Sequence, residues 1–318
     1  MTVHWIERRE GGNVVALKLI KTAAVLFGRR ITRLSLLPIT IYFLIRRKPE
    51  RLASRAYLRR ALSREPSVFE IARHFHHFAA VTLDRVYFLT NQLEEFEART
   101  FGLDELDRAL SFGRGVLMVG AHVGSFDALR ALKTLRPDVT LRVVLDEEHS
   151  PALSNTLREL DPEMAASIIN PRKSGAAVAI EIGQALRAGG LVTLLADRVR
   201  PGNPTITVDF LGDTIRLPIA PWQIASALHV PIVLCVGLFQ GRNRYDLHFQ
   251  LLSEALVADR RDRRQLMQAT AQRFADHLAA LLFSAPYNWF NFYELWNTSA
   301  TAHQPSDYLV GDGDSSGS

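Results

Sequence analysis

From residue 114 onward, short apolar runs alternate with stretches in which apolar residues recur every three or four positions. Short apolar runs bounded by Gly, Pro or polar residues are typical of buried strands, and the wider spacing is typical of amphipathic helices. Their alternation predicts an α/β fold with a central mixed sheet flanked by helices. The pattern predicts strands at 116–120, 140–145, 166–169, 191–196, 206–211, 231–239 and 245–251, and helices at 125–135, 150–159, 174–188, 219–229 and 261–283.

The first sixty residues differ, because their apolar patches alternate with arginines. The longest patch, 34–45, is about a dozen residues long and contains Pro38, whereas a membrane-spanning helix needs about 20 apolar residues. We therefore expect residues 12–60 to form one or two amphipathic helices that lie in a membrane interface. The alternative is that their apolar face packs on the main domain and the arginines are solvated. The basic residues expected to face anionic head groups are Lys18, Lys21, Arg29, Arg30 and Arg33.

Charge is divided in the same way along the chain. The formal net charge is +5, but residues 1–60 hold fourteen Lys and Arg against three Asp and Glu, so this segment carries +11 and the rest −6. Basic residues recur throughout it and no small-residue cleavage site follows, so a signal peptide is not expected. We expect a basic membrane-associating segment at 1–60, an α/β domain at 61–298, and a small, polar, disordered tail at 299–318.

Cysteine and histidine usage argues against disulfide and metal chemistry. The single cysteine, Cys235, excludes an intramolecular disulfide, fits a reducing compartment and lies in an apolar run typical of the core. The region 67–98 is expected to be helical, and His74 and His77 would share a face of that helix. No carboxylate or cysteine nearby completes a set of ligands, so we expect a solvated polar face and no metal.

The most informative stretch is 114–130, where an apolar run ends at Gly120 and His122 falls in the following turn. Ser125 is a plausible N-cap of the next helix, which places Asp127 in its first turn. A carboxylate that accepts the proton of one imidazole nitrogen leaves the other nitrogen free to take a proton from a substrate. We therefore predict that His122 is a general base and that Asp127 orients it.

A second strand end carries charge as well. The predicted strand 191–196 is followed at once by Asp197, Arg198 and Arg200. Ligands of open α/β sheets bind beyond the carboxyl ends of the strands, so Arg198 or Arg200 is expected to face the same crevice as His122 and to bind a phosphate. The alternative is a surface ion pair among these three residues.

Other catalytic patterns do not fit. Ser125 is not in a G-x-S-x-G sequence, and neither G-x-x-x-x-G-K-[ST] nor G-x-G-x-x-G occurs. The basic and aromatic residues do not form a known nucleic-acid-binding module, so no nucleic-acid partner is expected.

The sequence from His122 to Asp127 resembles the H-x-x-x-x-[D/E] motif of the lysophospholipid acyltransferase superfamily. Further blocks follow in the family's order at Asp197-Arg198, at 208–212 with Leu217-Pro218, and at 229–233. With the basic N-terminus and the aromatic stretch 287–296, the chain most resembles the bacterial branch that includes the lipid A late acyltransferases, particularly members from polyene-pigment or glycolipid pathways. Lipid A enzymes usually carry Glu where this chain has Asp127, which argues against lipid A itself as acceptor.

The resemblance implies an O- or N-acyltransferase that needs no cofactor besides its co-substrate, an acyl thioester of acyl carrier protein or coenzyme A. The acceptor would be a hydroxyl or amine of a lipid or glycolipid, and the enzyme would be a peripheral protein on the cytoplasmic face of the bacterial inner membrane. His122 would be the base, Asp127 its orienting residue and Arg198 or Arg200 a phosphate ligand, while Phe210 and Gly212 would line the acyl channel. Trp289 and its aromatic neighbours would bury the chain terminus or anchor at the membrane, or simply pack. The alternatives are a non-enzymatic lipid-binding protein with the same fold and a thioester or lipid hydrolase.

Overall fold

The computed structural model describes residues 28–296, except 30, 91, 131–135, 137–138, 147–157, 160–161, 257–258 and 260. Its strands are β1 Glu97–Phe101, β2 Val116–Gly120, β3 Leu141–Val144, β4 Ile168–Ile169, β5 Leu191–Leu195, β6 Thr205–Phe210, β7 Asp213–Pro218, β8 Ile232–Phe239 and β9 Arg244–Ser253. Its helices are α1 Leu36–Arg46, α2 Lys48–Ala61, α3 Val68–Leu89, α4 Leu103–Ser111, α5 Pro162–Ala166, α6 Gly175–Arg187, α7 Ala220–Leu228 and α8 Arg263–Ser284.

The main sheet has the strand order β1-β9-β8-β2-β5-β3-β4. Neighbouring strands are parallel except β8 and β9, which form an antiparallel pair. The central strands β2 and β8 are buried along their whole length, because helices cover both faces of the sheet. The predicted α/β class with a mixed sheet is therefore confirmed.

The predicted strands correspond to seven of the observed ones, and Cys235 lies buried in β8 as expected. Two further strands were not predicted. β1 is exposed at all five positions and pairs with β9 at the sheet edge, so it has no buried face to produce an apolar pattern. β7 forms a separate hairpin with β6, and its inward apolar residues are only Ile215 and Leu217.

The helix predicted at 125–135 is, in its described part, a short 3-10 turn at Asp127–Arg130. Ser125 caps this turn, because its Oγ accepts the backbone N–H of Ala128 at 3.1 Å. Of the helix predicted at 150–159, residues 158–159 are described and are helical. The helical region predicted at 67–98 ends at Leu89, and its last residues belong to a 3-10 turn and β1.

The N-terminal helices have one face on the core and one exposed face. Leu36 of α1 and Tyr57 and Leu58 of α2 are buried, whereas Leu37 and Ile45 of α1 are more than half exposed. Within the described ranges no helix is long and apolar enough to cross a membrane.

The arginines of this region do not all face outward as predicted. Arg29 is buried and donates from Nε and Nη2 to the two carboxylate oxygens of Asp84, both at 2.8 Å. Arg33 lies 3.5 Å from the same carboxylate. Both turn inward because the buried Asp84 on α3 needs a cationic partner. Lys18, Lys21 and Arg30, like the tail 299–318, lie outside the described residues.

The histidines of α3 do not form a solvated face. His74 is fully buried and His77 is 9% exposed, because this side of α3 packs under the aromatic segment that follows α8. Burial lowers the pKa of His74 to about 4 and that of His77 to about 3. Both rings are therefore neutral members of the core at neutral pH.

Candidate functional site

The site lies where two neighbouring parallel strands end. Gly120, the last residue of β2, is paired with Leu195, the last residue of β5. His122 and Asp197 each follow two residues later, so both emerge at the carboxyl edge of the sheet. This edge is where open α/β sheets bind their ligands.

The two side chains form a hydrogen-bonded pair, an arrangement that suits a base and its orienting residue. Nδ1 of His122 lies 2.8 Å from Oδ1 of Asp197, and the backbone N–H of His122 donates to Oδ2 at 3.0 Å. An ionised carboxylate can only accept, so the imidazole proton sits on Nδ1 and Nε2 keeps its lone pair. The His122 side chain is 29% exposed and Asp197 is 2% exposed, so a substrate can reach the ring while the carboxylate stays covered.

Asp197 is buried as an anion and has four donors. Besides the two from His122, it accepts from the indole Nε1 of Trp289 at 3.3 Å and from Nδ2 of Asn291 at 2.8 Å. Burial by itself would raise the pKa of Asp197, but the interactions with the ring and backbone N–H of His122, together with the positive charge of Arg198, outweigh it and lower that pKa. The carboxylate therefore remains ionised at neutral pH.

His122 is held neutral. Burial lowers its pKa below 6.5, and the positive charges of Arg198 and Arg85 act in the same direction, against the opposing effect of Asp197. A neutral imidazole with a free Nε2 is the form required of a general base.

A strained turn fixes the position of His122. Gly124 has φ +55°, and its backbone N–H donates to the carbonyl of Asn288 at 2.7 Å. A Cβ atom at this position would lie 2.0 Å from the carbonyl oxygen of Gly237, so only glycine fits. The next N–H, that of Ser125, donates to the same Gly237 oxygen at 2.7 Å. The motif glycine thus lets the turn approach β8 closely.

The predicted contact between Asp127 and His122 is not present in the structure. Oδ2 of Asp127 accepts from Nε of Arg85 on α3 at 2.7 Å, and the ring of His122 is bonded to Asp197 instead. The physical reason is local: residues 127–130 form a 3-10 turn, and Asp127 at its start meets α3. Asp127 lies five residues from His122 along the chain, yet Asp197 on the adjacent strand end is the residue in contact.

The predicted phosphate ligands are both engaged. Arg198 donates to Oδ1 of Asn291 at 2.8 Å and to the carbonyl of Phe290 at 3.2 Å, and its guanidinium lies 5.8 Å from the ring centre of Tyr293. Arg200 is paired with Asp146. The alternative, a surface ion pair among Asp197, Arg198 and Arg200, is not observed. Asp197 turns inward to His122, and Arg200 pairs with Asp146.

Phe210 and Gly212 belong to the β6–β7 hairpin. Phe210 is buried, with its ring centre 5.1 Å from that of Trp289, which places it behind the Asp197 network. Gly212 lies exposed in the two-residue turn with φ +82°, and nothing lies within 4 Å of the place a Cβ would occupy. The positive φ of this turn position by itself favours glycine.

Asp197 was not predicted from the sequence as the partner of His122. Trp289 and Asn291 were not predicted as donors to Asp197, and Arg85 was not predicted as the partner of Asp127. One signal was present: Asp197 stands as far beyond its strand as His122 does beyond β2. No feature of the sequence pattern indicates that the polar side chain of Asn291 is buried. Within the described ranges, no group of His, Cys, Asp and Glu side chains is arranged to hold a metal ion.

The chain is similar to known acyltransferases. Residues 64–298 match the family described as "Bacterial lipid A biosynthesis acyltransferase". The chain is also 27% identical over 198 residues to the "Phosphatidylinositol mannoside acyltransferase" of Mycobacterium tuberculosis, in strains ATCC 25618 / H37Rv and CDC 1551 / Oshkosh. The aligned stretch covers 61% of this chain and 58% of those relatives, less than two thirds of their length. Because the family match spans most of the chain, including His122 and Asp197, the protein belongs to the bacterial lipid A biosynthesis acyltransferase family.

Proposed function

We propose that this protein transfers a fatty acyl group from a thioester of acyl carrier protein or coenzyme A to a hydroxyl or amine of a lipid or glycolipid acceptor. The observation that carries the proposal is the His122–Asp197 pair, which provides a neutral, reachable base at the carboxyl edge of the sheet in a chain of this family. The name of the mycobacterial relatives favours a glycolipid acceptor.

The chemistry requires a base but no enzyme nucleophile, because a thioester is already activated. Nε2 of His122 takes the proton from the acceptor hydroxyl or amine as its oxygen or nitrogen attacks the thioester carbonyl. The tetrahedral intermediate then collapses, the C–S bond breaks, and the imidazolium returns the proton to the leaving thiolate. Asp197 holds the ring in one tautomer and stabilises the imidazolium between these two steps.

The positive charge of Arg198 supports this reaction. It lowers the pKa of His122, which keeps the base unprotonated, and a fixed positive charge beside the reacting centre favours negative charge on the carbonyl oxygen. We propose this electrostatic role for Arg198, since Asn291 and Phe290 already occupy two of its donors. The reaction needs no cofactor beyond the thioester co-substrate.

We propose that the exposed face of the N-terminal helical region rests on a lipid bilayer. Five apolar side chains that are at least half exposed follow one another at helical spacing: Ile31, Leu34, Leu37, Ile41 and Ile45. Two exposed basic residues, Arg46 and Lys48, directly follow this stripe along the chain. An apolar stripe bordered by cations is the pattern of a helix that lies in an anionic membrane interface. We propose that the protein is peripheral and that the membrane surface it binds is the cytoplasmic face of the inner membrane.

The experiment follows a labelled acyl chain from acyl carrier protein or coenzyme A thioester into lipid, with vesicles that contain phosphatidylinositol mannosides as acceptor. We expect labelled glycolipid with the wild type and none with His122→Ala. His248→Ala is the control, because that histidine lies on β9 and stacks on Phe101 of the edge strand β1, so its loss should leave transfer unchanged. Free labelled fatty acid as the product would indicate a hydrolase, and lipid binding without movement of label would indicate a binding protein; either result would contradict the proposal.

A further inference from the structure

One buried amide joins the two charged groups that flank His122. Nδ2 of Asn291 donates to Oδ2 of Asp197 at 2.8 Å, and Oδ1 of the same amide accepts from Nε of Arg198 at 2.8 Å. Asn291 is 2% exposed, so water does not compete for either bond. The amide has a donor end and an acceptor end, and each end meets the only kind of charge it can bind.

No other side chain of this size meets both requirements. An aspartate would place a carboxylate against Asp197, and an apolar residue would leave both charged groups with one partner fewer. The residue type at 291 is therefore explained by electrostatics, whereas its neighbours Phe290 and Phe292 are explained by packing in the core.

The segment that carries Asn291 is fixed on both sides. The backbone N–H of Phe290 donates to the carbonyl of His122 at 2.8 Å. From the other side, Nε2 of His74 donates to the carbonyl of Trp289 at 2.8 Å, and Oγ of Ser54 lies 2.8 Å from Nδ1 of the same ring. A buried histidine on α3 thus ties the segment to α2, and this tie holds the Trp289 indole and the Asn291 amide against Asp197.

We propose that Asn291 is a positioning residue for acyl transfer: it holds Asp197 ionised against His122 and Arg198 in place beside them, with Trp289 as the second donor. This inference rests on the proposed function for its consequence in catalysis. Its structural part, control of the His122–Asp197 pair, can be measured without turnover.

The ionisation of the pair depends on few groups. Those that act on His122 and Asp197 are Arg198 after β5, Arg85 on α3 and Tyr293 beyond Asn291, together with the neutral donors Trp289 and Asn291. A donor to a carboxylate favours its charged form, so loss of the Asn291 donor raises the pKa of Asp197. A carboxylate at 291 adds like charge and raises it further. Both changes also leave the negative charge beside His122 less compensated, which raises the pKa of its ring and moves the acid limb of the pH–rate profile to higher pH.

The experiment compares Asn291→Asp and Asn291→Ala with the matched variants Asn288→Asp and Asn288→Ala. Asn288 is equally buried, but its amide bonds to the backbone of Phe239 and does not touch Asp197. From the value of a hydrogen bond to a charged group, we expect kcat of the Asn291 variants to fall about tenfold or more, with KM little changed and the acid limb shifted upward. The Asn288 variants should lose thermal stability while the acid limb stays in place.

The indole donor supplies a second comparison should an Asn291 variant fail to fold. Trp289→Phe removes volume and the donor to Asp197, whereas Trp222→Phe removes the same volume at a fully buried tryptophan whose indole nitrogen has no partner among the described residues. We expect the acid limb to move in Trp289→Phe and to stay unchanged in Trp222→Phe.

Titration of the His122 imidazole by NMR, assigned with His122→Ala, separates this inference from the proposed function. An altered His122 titration in the Asn291 variants supports the inference even if no acyl transfer is found. An unchanged titration and acid limb in both the Asn291 and Trp289 variants would overturn it, even if wild-type transfer is fully established.

Discussion

His122 and Asp197 are 75 residues apart in the chain and 2.8 Å apart in space, because β2 and β5 are neighbours and end at the same level of the sheet. Each residue stands two positions beyond its strand, so the register of the two strands sets the distance between the side chains. The contact belongs to the sheet, which explains why the nearby motif carboxylate, Asp127, is not part of it.

This relationship predicts that the two aspartates differ in importance. Asp197→Asn should lower kcat by about 10³- to 10⁴-fold, because an amide no longer enforces the tautomer with the proton on Nδ1. Asp127→Asn should cost far less, because it weakens only the bond to Arg85. Steady-state kinetics of both variants check this, and a larger loss in Asp127→Asn would return the orienting role to that residue.

A double-mutant cycle tests the assignment of Asp127 to Arg85. The effects of Arg85→Ala and Asp127→Asn on the free energy of unfolding should be non-additive, since the two side chains are 2.7 Å apart. The control combines Arg85→Ala with Thr90→Ala, at the residue that directly follows α3. The effects of these two changes on the free energy of unfolding should be additive. Additive effects of the 85 and 127 changes would contradict the pairing.

The glycine of the motif makes a prediction about stability. Gly124→Ala introduces a Cβ 2.0 Å from the Gly237 oxygen, so the turn that carries His122 must move. Gly113→Ala is the control, because Gly113 also has positive φ, at +67°, but has open space around it. The control should cost about 1–2 kcal/mol of the free energy of unfolding for left-handed backbone alone. Gly124→Ala should cost more and should also lower transfer, as urea denaturation and activity assays would show.

The exposed stripe predicts that membrane binding depends on its apolar side chains. Leu34→Ser with Leu37→Ser and Ile45→Ser should weaken sedimentation with anionic vesicles, because each change removes apolar area from the interface. Ile180→Ser is the control, since Ile180 is similarly exposed but lies on α6. Raised salt should weaken binding of the wild type. Point changes are preferable to deletion of residues 1–60, because Tyr57 and Leu58 belong to the core; equal binding of all variants would move the contact elsewhere.

Buried histidines predict that the fold loses stability in acid. His74 has a pKa of about 4 in the fold, below 6.5, so between these values the unfolded chain binds more protons than the folded one. The free energy of unfolding should therefore fall as the pH is lowered from 6.5 to 4, by up to about 1.4 kcal/mol per pH unit for each such group. His74→Gln should flatten part of this dependence in urea denaturation series at pH 8, 6 and 4.5. An unchanged slope would mean that His74 is not neutral in the fold.

Much of the architecture follows from local pattern alone. Apolar runs such as Val116–Gly120 are buried strands, because a strand that is apolar on both faces is stable at the centre of a sheet that helices cover on both sides. His122 can be identified from the sequence because a titratable residue directly after such a strand is unusual, and this position is visible without knowledge of the neighbouring strands. β1 escaped prediction because an edge strand pairs through its backbone and need not bury side chains.

The α/β class, most of the central strands and the position of His122, the proposed base, follow from residues close together in the chain. The partner of His122 and the side chains around that pair follow only from the tertiary structure. Asp197, Asn291 and Trp289 reach His122 through strand order and through the return of the segment after α8, and such long-range pairing leaves no periodic trace in the sequence. The inward turn of Arg29 and Arg33 was decided in the same way, because it depends on the buried carboxylate of Asp84 on another helix.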